Sequence, residues 1–289
     1  MFHGSLVALI TPMHEEGSID FSALEKLVDW HLENKTDGLV ILGTTGESAT
    51  VEHHERNKMI RAVIERVNHR IPVIVGTGTN VTKQTIELTQ EAMELGADAV
   101  LLVTPYYNKP TQEGLYQHYR AIAKAVPIPQ ILYNVPGRTC CDLLPATVAR
   151  LAEFSNIVGL KEATGNLDRL KQLLDLNIKM DFFSGDDATA MEFILMGGKG
   201  VISVAANVAP RVFHDLCAAA MTKDRENAEK INATLLDLYR VLFIETNPIP
   251  TKWILEKMGL IHAGIRLPLT PLSSQHHAAV KSVMEAVIG

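Results

Sequence analysis

The sequence has 289 residues, of which 47% are hydrophobic and 21% are charged, and its formal net charge is −6. This composition is typical of a globular protein with a large core, and the acidic balance excludes the basic surface of a nucleic-acid-binding protein. No apolar run approaches the ~20 residues of a membrane-spanning helix, and residues 1–5 lack the pattern of a secretory leader. The three cysteines, Cys140, Cys141 and Cys217, form no paired framework, so we expect a reduced, cytoplasmic protein without membrane or nucleic-acid partners.

Short apolar runs alternate along the chain with segments whose apolar residues recur at helical spacing. The predicted strands span 6–10, 38–42, 72–75, 99–103, 130–133, 157–161, 180–184 and 200–203. The helices that follow them span 21–32, 52–67, 83–95, 112–125, 145–154, 167–176, 188–196 and 210–221, with Asp20 as the first N-cap. Eight strand–helix units in about 220 residues predict a (β/α)8 TIM barrel. An open doubly wound sheet is the alternative, but no Gly-rich dinucleotide motif follows the first strand.

Beyond residue 223 the strand patterns stop, and helices are predicted over 225–244, 250–258 and 274–288. The segment Asn247-Pro248-Ile249-Pro250 separates the first two, because proline does not continue a helix. We therefore divide the chain into a (β/α)8 barrel, residues 1–223, and a small C-terminal helical domain, residues 224–289. We expect the second to pack on the barrel or on another subunit.

The predicted strand at 157–161 ends in a lysine. Side chains alternate between the faces of a strand, so Gly159 and Lys161 share one face. Val158, Leu160 and Glu162 share the other. An amine at the end of an apolar strand is poorly solvated, which favours the uncharged form that attacks a carbonyl carbon. Taken alone, the pattern also fits a surface lysine, and the neighbouring motifs decide between the two.

Polar residues follow three other strands. The turn 43–48 carries Thr44 and Thr45 between glycines, which suits a carboxylate or oxyanion, or an ordinary tight turn. The Pro-bounded loop 104–110 contains two tyrosines. Such an exposure of large rings is typical of an interface anchor, a site component, or both. After the fifth strand, Tyr133 can relay a proton and Arg138 can clamp a carboxylate. Because a barrel gathers the carboxyl ends of its strands at one face, we predict a single site there.

Three of these motifs, at 43–47, 133–139 and 159–163, resemble the signatures of the pyruvate-dependent class I aldolase superfamily. Within it, the sequence is most similar to the dihydrodipicolinate synthase family. The resemblance covers nearly the whole chain and includes the segments 184–187 and 201–204, together with the Asn-Pro-Ile-Pro break described above.

The resemblance implies a lyase that condenses pyruvate with L-aspartate 4-semialdehyde, in the diaminopimelate route to L-lysine. Lys161 would form a Schiff base with pyruvate, so that no metal and no organic cofactor is needed. Tyr133 would donate and accept the proton, and Thr44 and Tyr107 would complete a hydroxyl relay. The family's equivalent of Tyr107 reaches in from a neighbouring subunit, so a dimer is the expected active unit and a homotetramer, a dimer of dimers, the expected assembly.

The resemblance also assigns binding residues. Thr45, Gly185 and the backbone at Ile202 would hold pyruvate, and Arg138 would bind the carboxylate of the semialdehyde. The positions of the family's allosteric lysine pocket are here Ser48, Ala49, His53, Arg56, Asn80, Gln84 and Tyr106. The family usually has histidine at position 56 and glutamate at position 84. A neutral amide and an added positive charge both disfavour the ammonium group of lysine, so we expect L-lysine to inhibit weakly or not at all.

Three alternatives remain open from the sequence. A sister enzyme, such as an N-acetylneuraminate lyase or a keto-deoxy-sugar aldolase, would share Lys161 and Tyr133, but such enzymes generally lack Arg138. A metal-dependent aldolase would need histidines at ligand spacing, whereas the adjacent pairs 53–54 and 276–277 point apart on a helix. A non-enzymatic small-molecule binder would have no use for a buried amine.

Overall fold

The predicted barrel is present in the structure, a computed structural model that describes residues 2–288. Eight parallel strands pair in chain order, and the last strand closes onto the first. The strands are β1 (Gly4–Ala8), β2 (Gly38–Ile41), β3 (Val73–Gly76), β4 (Ala99–Val103), β5 (Gln130–Asn134), β6 (Ile157–Glu162), β7 (Asp181–Ser184) and β8 (Gly200–Ser203). The (β/α)8 prediction is therefore confirmed, and the open doubly wound sheet is not formed.

Helices follow each strand and continue beyond the barrel. They are α1 (Phe21–Glu33), α2 (His53–Val67), α3 (Thr82–Glu94), α4 (Gln112–Ala125), α5 (Pro136–Thr139), α6 (Pro145–Leu151), α7 (Leu167–Asp175), α8 (Ala190–Met196), α9 (Pro210–Met221), α10 (Arg225–Ala233), α11 (Leu236–Val241), α12 (Ile249–Lys257) and α13 (Ser274–Ile288). Within residues 2–288, no helix is long and apolar enough to cross a membrane.

The boundaries follow local chemistry. The Asp20 side chain accepts the backbone N–H of Ala23 and caps α1, as predicted. The predicted helix 225–244 is wrong as one element, because it breaks between α10 and α11. There the hydroxyl of Thr234 donates to the carbonyl of Ile231 at 2.7 Å, and the backbone N–H of Leu235 bonds three residues back to Asn232. Both bonds tighten the turn and end the α-helical ladder.

The barrel separates two apolar layers. Its interior is filled by a small cluster that includes Leu6, Val40 and Phe183, so it is a packed core rather than a pore. A larger layer lies between the strands and the surrounding helices and includes Leu160. The alternation predicted along β6 holds from Gly159 onward, since a Cβ added to Gly159 would meet Phe183 of the interior, whereas Leu160 faces the helices. The prediction that Val158 shares the face of Leu160 is wrong, because the pairing of β5 with β6 shifts by one residue there and Val158 packs against the interior cluster.

The last four helices, α10 to α13, pack against neighbouring helices and against the barrel. Helix α10 contacts α8 and α9, while α13 contacts α11 and α12. Two ion pairs join this part of the chain to the loop and helix that follow β2, Lys252 with Glu47 and Arg266 with Glu55. The division of the chain at residue 223 stays a prediction.

Candidate active site

A cavity of about 140 Å³ opens at the carboxyl ends of the strands. Its walls are formed by Ala8, Val40, Gly43, Thr44, Thr45, Leu101, Tyr133, Val135, Arg138, Lys161, Ala163, Gly185, Asp186, Val204, Phe243 and Asn247. The structure thus brings six predicted site residues to one place, from the ends of β2, β5, β6 and β7. This is the end of a TIM barrel at which active sites are built.

Lys161 is only 5% exposed and points into this cavity from β6. It lies opposite Tyr133 in the register of β5 and β6, and its Nζ is 4.3 Å from the centroid of the tyrosine ring. Gly185 at the end of β7 makes room for the lysine side chain. A Cβ at position 185 would come within 2.9 Å of the lysine Cε and 2.6 Å of the Cβ of Ala163.

The loop after β2 is fixed by residues distant in sequence. Thr45 is buried, and its Oγ1 accepts a hydrogen bond of 2.9 Å from Nδ2 of Asn247. Thr11 donates to the carbonyl of Gly46 at 2.7 Å. Glu47 has a positive φ of 54°, a conformation that costs energy outside glycine and is held here by its buried ion pair with Lys252. The hydroxyls of the loop are therefore presented on a rigid frame.

Arg138 extends from α5, the one-turn helix that follows β5, and lies exposed at the cavity mouth. Its Nη2 donates to the backbone carbonyl of Asn247 at 3.4 Å. This bond orients the guanidinium group, and its remaining N–H groups are available to a carboxylate.

Buried carboxylates support the walls from behind. Glu162 accepts from Nδ2 of Asn134 at 3.1 Å, and burial raises the pKa of the Glu162 carboxyl. Asp187 accepts the backbone N–H groups of Val204 and Ala205 at 3.1 and 2.8 Å. Burial raises the pKa of Asp187 to about 6, since desolvation outweighs the hydrogen bonds that favour its charge. These groups hold the ends of β6 and β8 in place.

The full sequence and fold place the chain among known proteins. It matches the model of the dihydrodipicolinate synthetase family over residues 1–287. The chain belongs to this family. A 4-hydroxy-tetrahydrodipicolinate synthase of Coxiella burnetii is 63% identical to it over 287 residues, which are 99% of each chain. The chloride-inhibited dihydrodipicolinate synthase of Acinetobacter baumannii, crystallised with pyruvate, has a TM-score of 0.98 and 53% identity over 99% of each chain.

A monomeric variant of a dihydrodipicolinate synthase superposes with a TM-score of 0.96 and 43% identity, covering 99% of this chain and 97% of the other. The predicted family is thus confirmed, and these relatives carry the synthase name rather than that of a sister aldolase.

Two residues that the resemblance assigns to the active site, Tyr107 and Ile202, lie outside the cavity wall. Tyr107 is 89% exposed, and its backbone has a positive φ of 74°. Ile202 is buried in the barrel interior, two residues before Val204 of the wall. The predicted lysine-pocket residues form no part of the wall either, and their role remains a prediction.

The sequence alone does not reveal the roles of Asn247 and Lys252, although Asn247 belongs to the Asn-Pro-Ile-Pro segment that carries the resemblance. Their partners Thr45 and Glu47 are more than 200 residues away. The only signal was the segment itself, since a Pro-rich break marks a rigid turn without naming its partner.

Proposed function

We propose that the protein acts as a 4-hydroxy-tetrahydrodipicolinate synthase and condenses pyruvate with L-aspartate 4-semialdehyde in lysine biosynthesis through diaminopimelate. The observation that carries the proposal is a buried amine, that of Lys161, in one cavity with Tyr133, Thr44 and Arg138. Family membership over the full chain supports the same reaction.

The reaction starts when the amine of Lys161 attacks the ketone of pyruvate and water leaves, which gives an iminium ion. The iminium withdraws electrons, so the methyl group of pyruvate loses a proton and becomes the nucleophilic carbon of an enamine. That carbon attacks the aldehyde of the second substrate. The amino group of the product then displaces Lys161 as the ring closes, and the free lysine is regenerated.

Tyr133 carries the protons in these steps. Its ring lies beside the amine of Lys161, so its hydroxyl can give a proton to the leaving water and take one back later. Thr44, which also lines the cavity wall, passes protons between Tyr133 and Tyr107 of a second subunit. The chemistry needs no metal or organic cofactor, because the protonated imine is itself the electron sink.

Substrate binding is divided between the two sides of the cavity. Thr45, Gly185 and the backbone around Ile202 hold pyruvate next to the lysine. Arg138 at the mouth receives the carboxylate of the semialdehyde, since a guanidinium fork matches a carboxylate in geometry and charge.

The active unit is a dimer, and the assembly is a homotetramer, in a cytoplasmic protein. The exposure of Tyr107 supports the dimer, because a tyrosine ring held almost fully in solvent is an unusual feature of an isolated chain. Tyr106 and Val81 are also exposed, and their loops lie side by side, since Nδ2 of Asn108 donates to the carbonyl of Asn80 at 2.9 Å. Three free thiols support a reducing compartment.

Borohydride trapping tests the Schiff base. Pyruvate and borohydride should add one reduced pyruvyl group per chain, on the peptide that contains Lys161. The peptide of Lys252, a second buried lysine that is ion-paired with Glu47, is the internal control and should remain unmodified. An unmodified Lys161 would refute the mechanism. Consumption of aspartate semialdehyde rather than a sugar-derived aldehyde then separates the synthase from the sister aldolases.

A further inference from the structure

A cluster of two histidines and one aspartate lies outside the cavity wall. His14 belongs to the loop after β1, Asp20 caps α1, and His262 lies between α12 and α13. The Nδ1 of His14 is 3.9 Å from Oδ2 of Asp20, and the Nε2 of His262 is 3.6 Å from the same oxygen. Both distances are too long for a direct hydrogen bond. The three groups therefore surround a small gap.

The size of the gap fits a cation. For an ion about 2.0–2.2 Å from each ligand atom, neighbouring ligands of a tetrahedral site are about 3.4 Å apart. The three ligand atoms here all lie within 4.8 Å of one another, so small side-chain rotations reach that geometry. The rings of the two histidines are neighbours, with centroids 5.4 Å apart and an angle of 36° between their planes.

The backbone beneath the cluster is fixed. Oδ1 of Asp20 is engaged by the N–H of Ala23, so the carboxylate is oriented with Oδ2 toward the histidines. Met13 and Ile19 form an antiparallel bridge that closes the loop around His14. A Cβ at Gly264 would come within 2.1 Å of the carbonyl oxygen of His14, so the two segments are in direct backbone contact. Only the exposed imidazoles need to move.

We propose that His14, Asp20 and His262 bind a zinc-like divalent cation that joins the segment after α12 to the loop after β1. Two imidazole nitrogens and one carboxylate oxygen are a ligand set that Zn²⁺ prefers, and water completes the coordination. The site is structural and separate from the Schiff-base chemistry.

Calorimetric titration of the chelator-treated, full-length protein with Zn²⁺ at pH 7.5 tests the site. We expect one Zn²⁺ per chain, and binding weakened at least tenfold in His14→Gln and in His262→Gln, since each removes a ligand. Asp20→Asn should also weaken binding while retaining the helix cap, because asparagine is an equally good N-cap. Zinc at a hundredfold excess over its Kd should raise the melting temperature of the parent protein by roughly 5–10 °C.

His54→Gln is the matched control. His54 is as exposed as His262, with 64% of its side chain accessible, and also lies beside a carboxylate, that of Glu52. This variant should bind zinc like the parent. Equal binding in the parent, His14→Gln and His262→Gln would overturn the proposal, as would the absence of any stoichiometric binding. Melting temperatures of the metal-free variants that equal that of the metal-free parent show that the variants fold. Both contradicting outcomes concern zinc binding alone, so they do not depend on whether the protein condenses pyruvate.

Discussion

At the scale of single residues, the site combines one reactive group with neighbours that fix its surroundings. Lys161 is placed by the register of β5 and β6 and by the absence of a side chain at Gly185. Arg138 differs from it, because it lies at the mouth and has one hydrogen bond to a backbone carbonyl. Substitutions of the two should therefore affect different steps.

Arg138→Ala should mainly impair the second substrate. We expect the KM for the semialdehyde to rise and kcat/KM to fall by the equivalent of roughly 1.5–3 kcal/mol, because a charge-assisted hydrogen bond at the cavity mouth is lost. Trapping of pyruvate by borohydride should remain close to that of the parent. Lys161→Ala is the counterpart and should lose both trapping and turnover. Equal losses in trapping and semialdehyde use for Arg138→Ala would contradict its assigned role.

His31 gives the fold a dependence on pH. It is fully buried, its Nδ1 lies 2.8 Å from the hydroxyl of Thr36, and burial lowers its pKa to about 3. The unfolded chain binds this proton near pH 6.5, so it binds more protons than the folded chain between those values. Stability should therefore fall as the pH decreases through this window, by about 2 kcal/mol between pH 7 and pH 5 for this residue.

Urea unfolding of the parent and of His31→Leu at pH 7 and pH 5 measures that contribution. The variant loses the bond to Thr36 at both pH values, but its stability should decrease less on acidification. The remaining titrating groups are common to both proteins and cancel in the comparison. An identical decrease in both would exclude this role of His31.

At the scale of elements, the loop after β2 depends on α12. The Nζ of Lys252 in that helix is 2.5 Å from Oε1 of Glu47, and both side chains are buried. Burial lowers the pKa of Lys252, while the charge of Glu47 opposes this effect. The same loop carries Thr44 and Thr45 of the cavity wall. The ion pair therefore couples the C-terminal helices to the position of the two hydroxyls.

Lys252→Met should destabilise the fold by about 3–5 kcal/mol, because it leaves the Glu47 carboxylate buried without a partner. The double variant Glu47→Gln with Lys252→Met removes both charges and should recover most of that loss. Denaturant unfolding of the parent, Glu47→Gln, Lys252→Met and the double variant gives the coupling energy. Additive effects would show that the pair is not coupled.

At the scale of the whole molecule, the proposed proton relay requires a second chain. The cavity contains Lys161 and Tyr133, whereas Tyr107 points into solvent. In a symmetric dimer, the same exposed loop of each chain faces its partner. Assembly and activity should therefore be linked.

Mixing two inactive variants tests this link. In a hybrid of Lys161→Ala with Tyr107→Phe, one of the two sites combines an intact Lys161 with an intact Tyr107 from the partner. Random exchange of subunits makes about half of the dimers hybrid, so activity should return to about a quarter of the parent value. If Tyr107 served its own chain, no mixture would regain activity, and that result would remove the cross-subunit relay.

The predicted response to L-lysine is a second property of the proposed assembly. The Nη2 of Arg56 donates to the carbonyl of Gly76 at 2.5 Å, and burial lowers the pKa of this guanidinium to about 10, so it remains charged at neutral pH. A fixed cation and the neutral amide of Gln84 should weaken binding of L-lysine about ten- to a hundredfold, the effect of a lost charge-assisted hydrogen bond.

Initial rates measured against L-lysine test that expectation. The parent should retain most of its activity at sub-millimolar lysine, and Arg56→His combined with Gln84→Glu should become more sensitive. Strong inhibition of the parent, with little change in the double variant, would contradict the prediction.

From the sequence alone one can predict the barrel, the strand that carries Lys161 and the end of the barrel where the candidate site lies. These features follow from periodicities and motifs of neighbouring residues, which depend on steric and solvation effects along the chain. The bounds of β4, α4 and β8 could be predicted to the residue for the same reason.

How the candidate site is held together depends on contacts that form only in the tertiary structure. The bond from Asn247 to Thr45 and the pair of Lys252 with Glu47 span 202 and 205 positions in the chain. The approach of His262 to Asp20 likewise depends on how the C-terminal segment packs on the barrel. No local pattern encodes such contacts, because their partners are selected by the closure of the barrel and by the packing of helices on it.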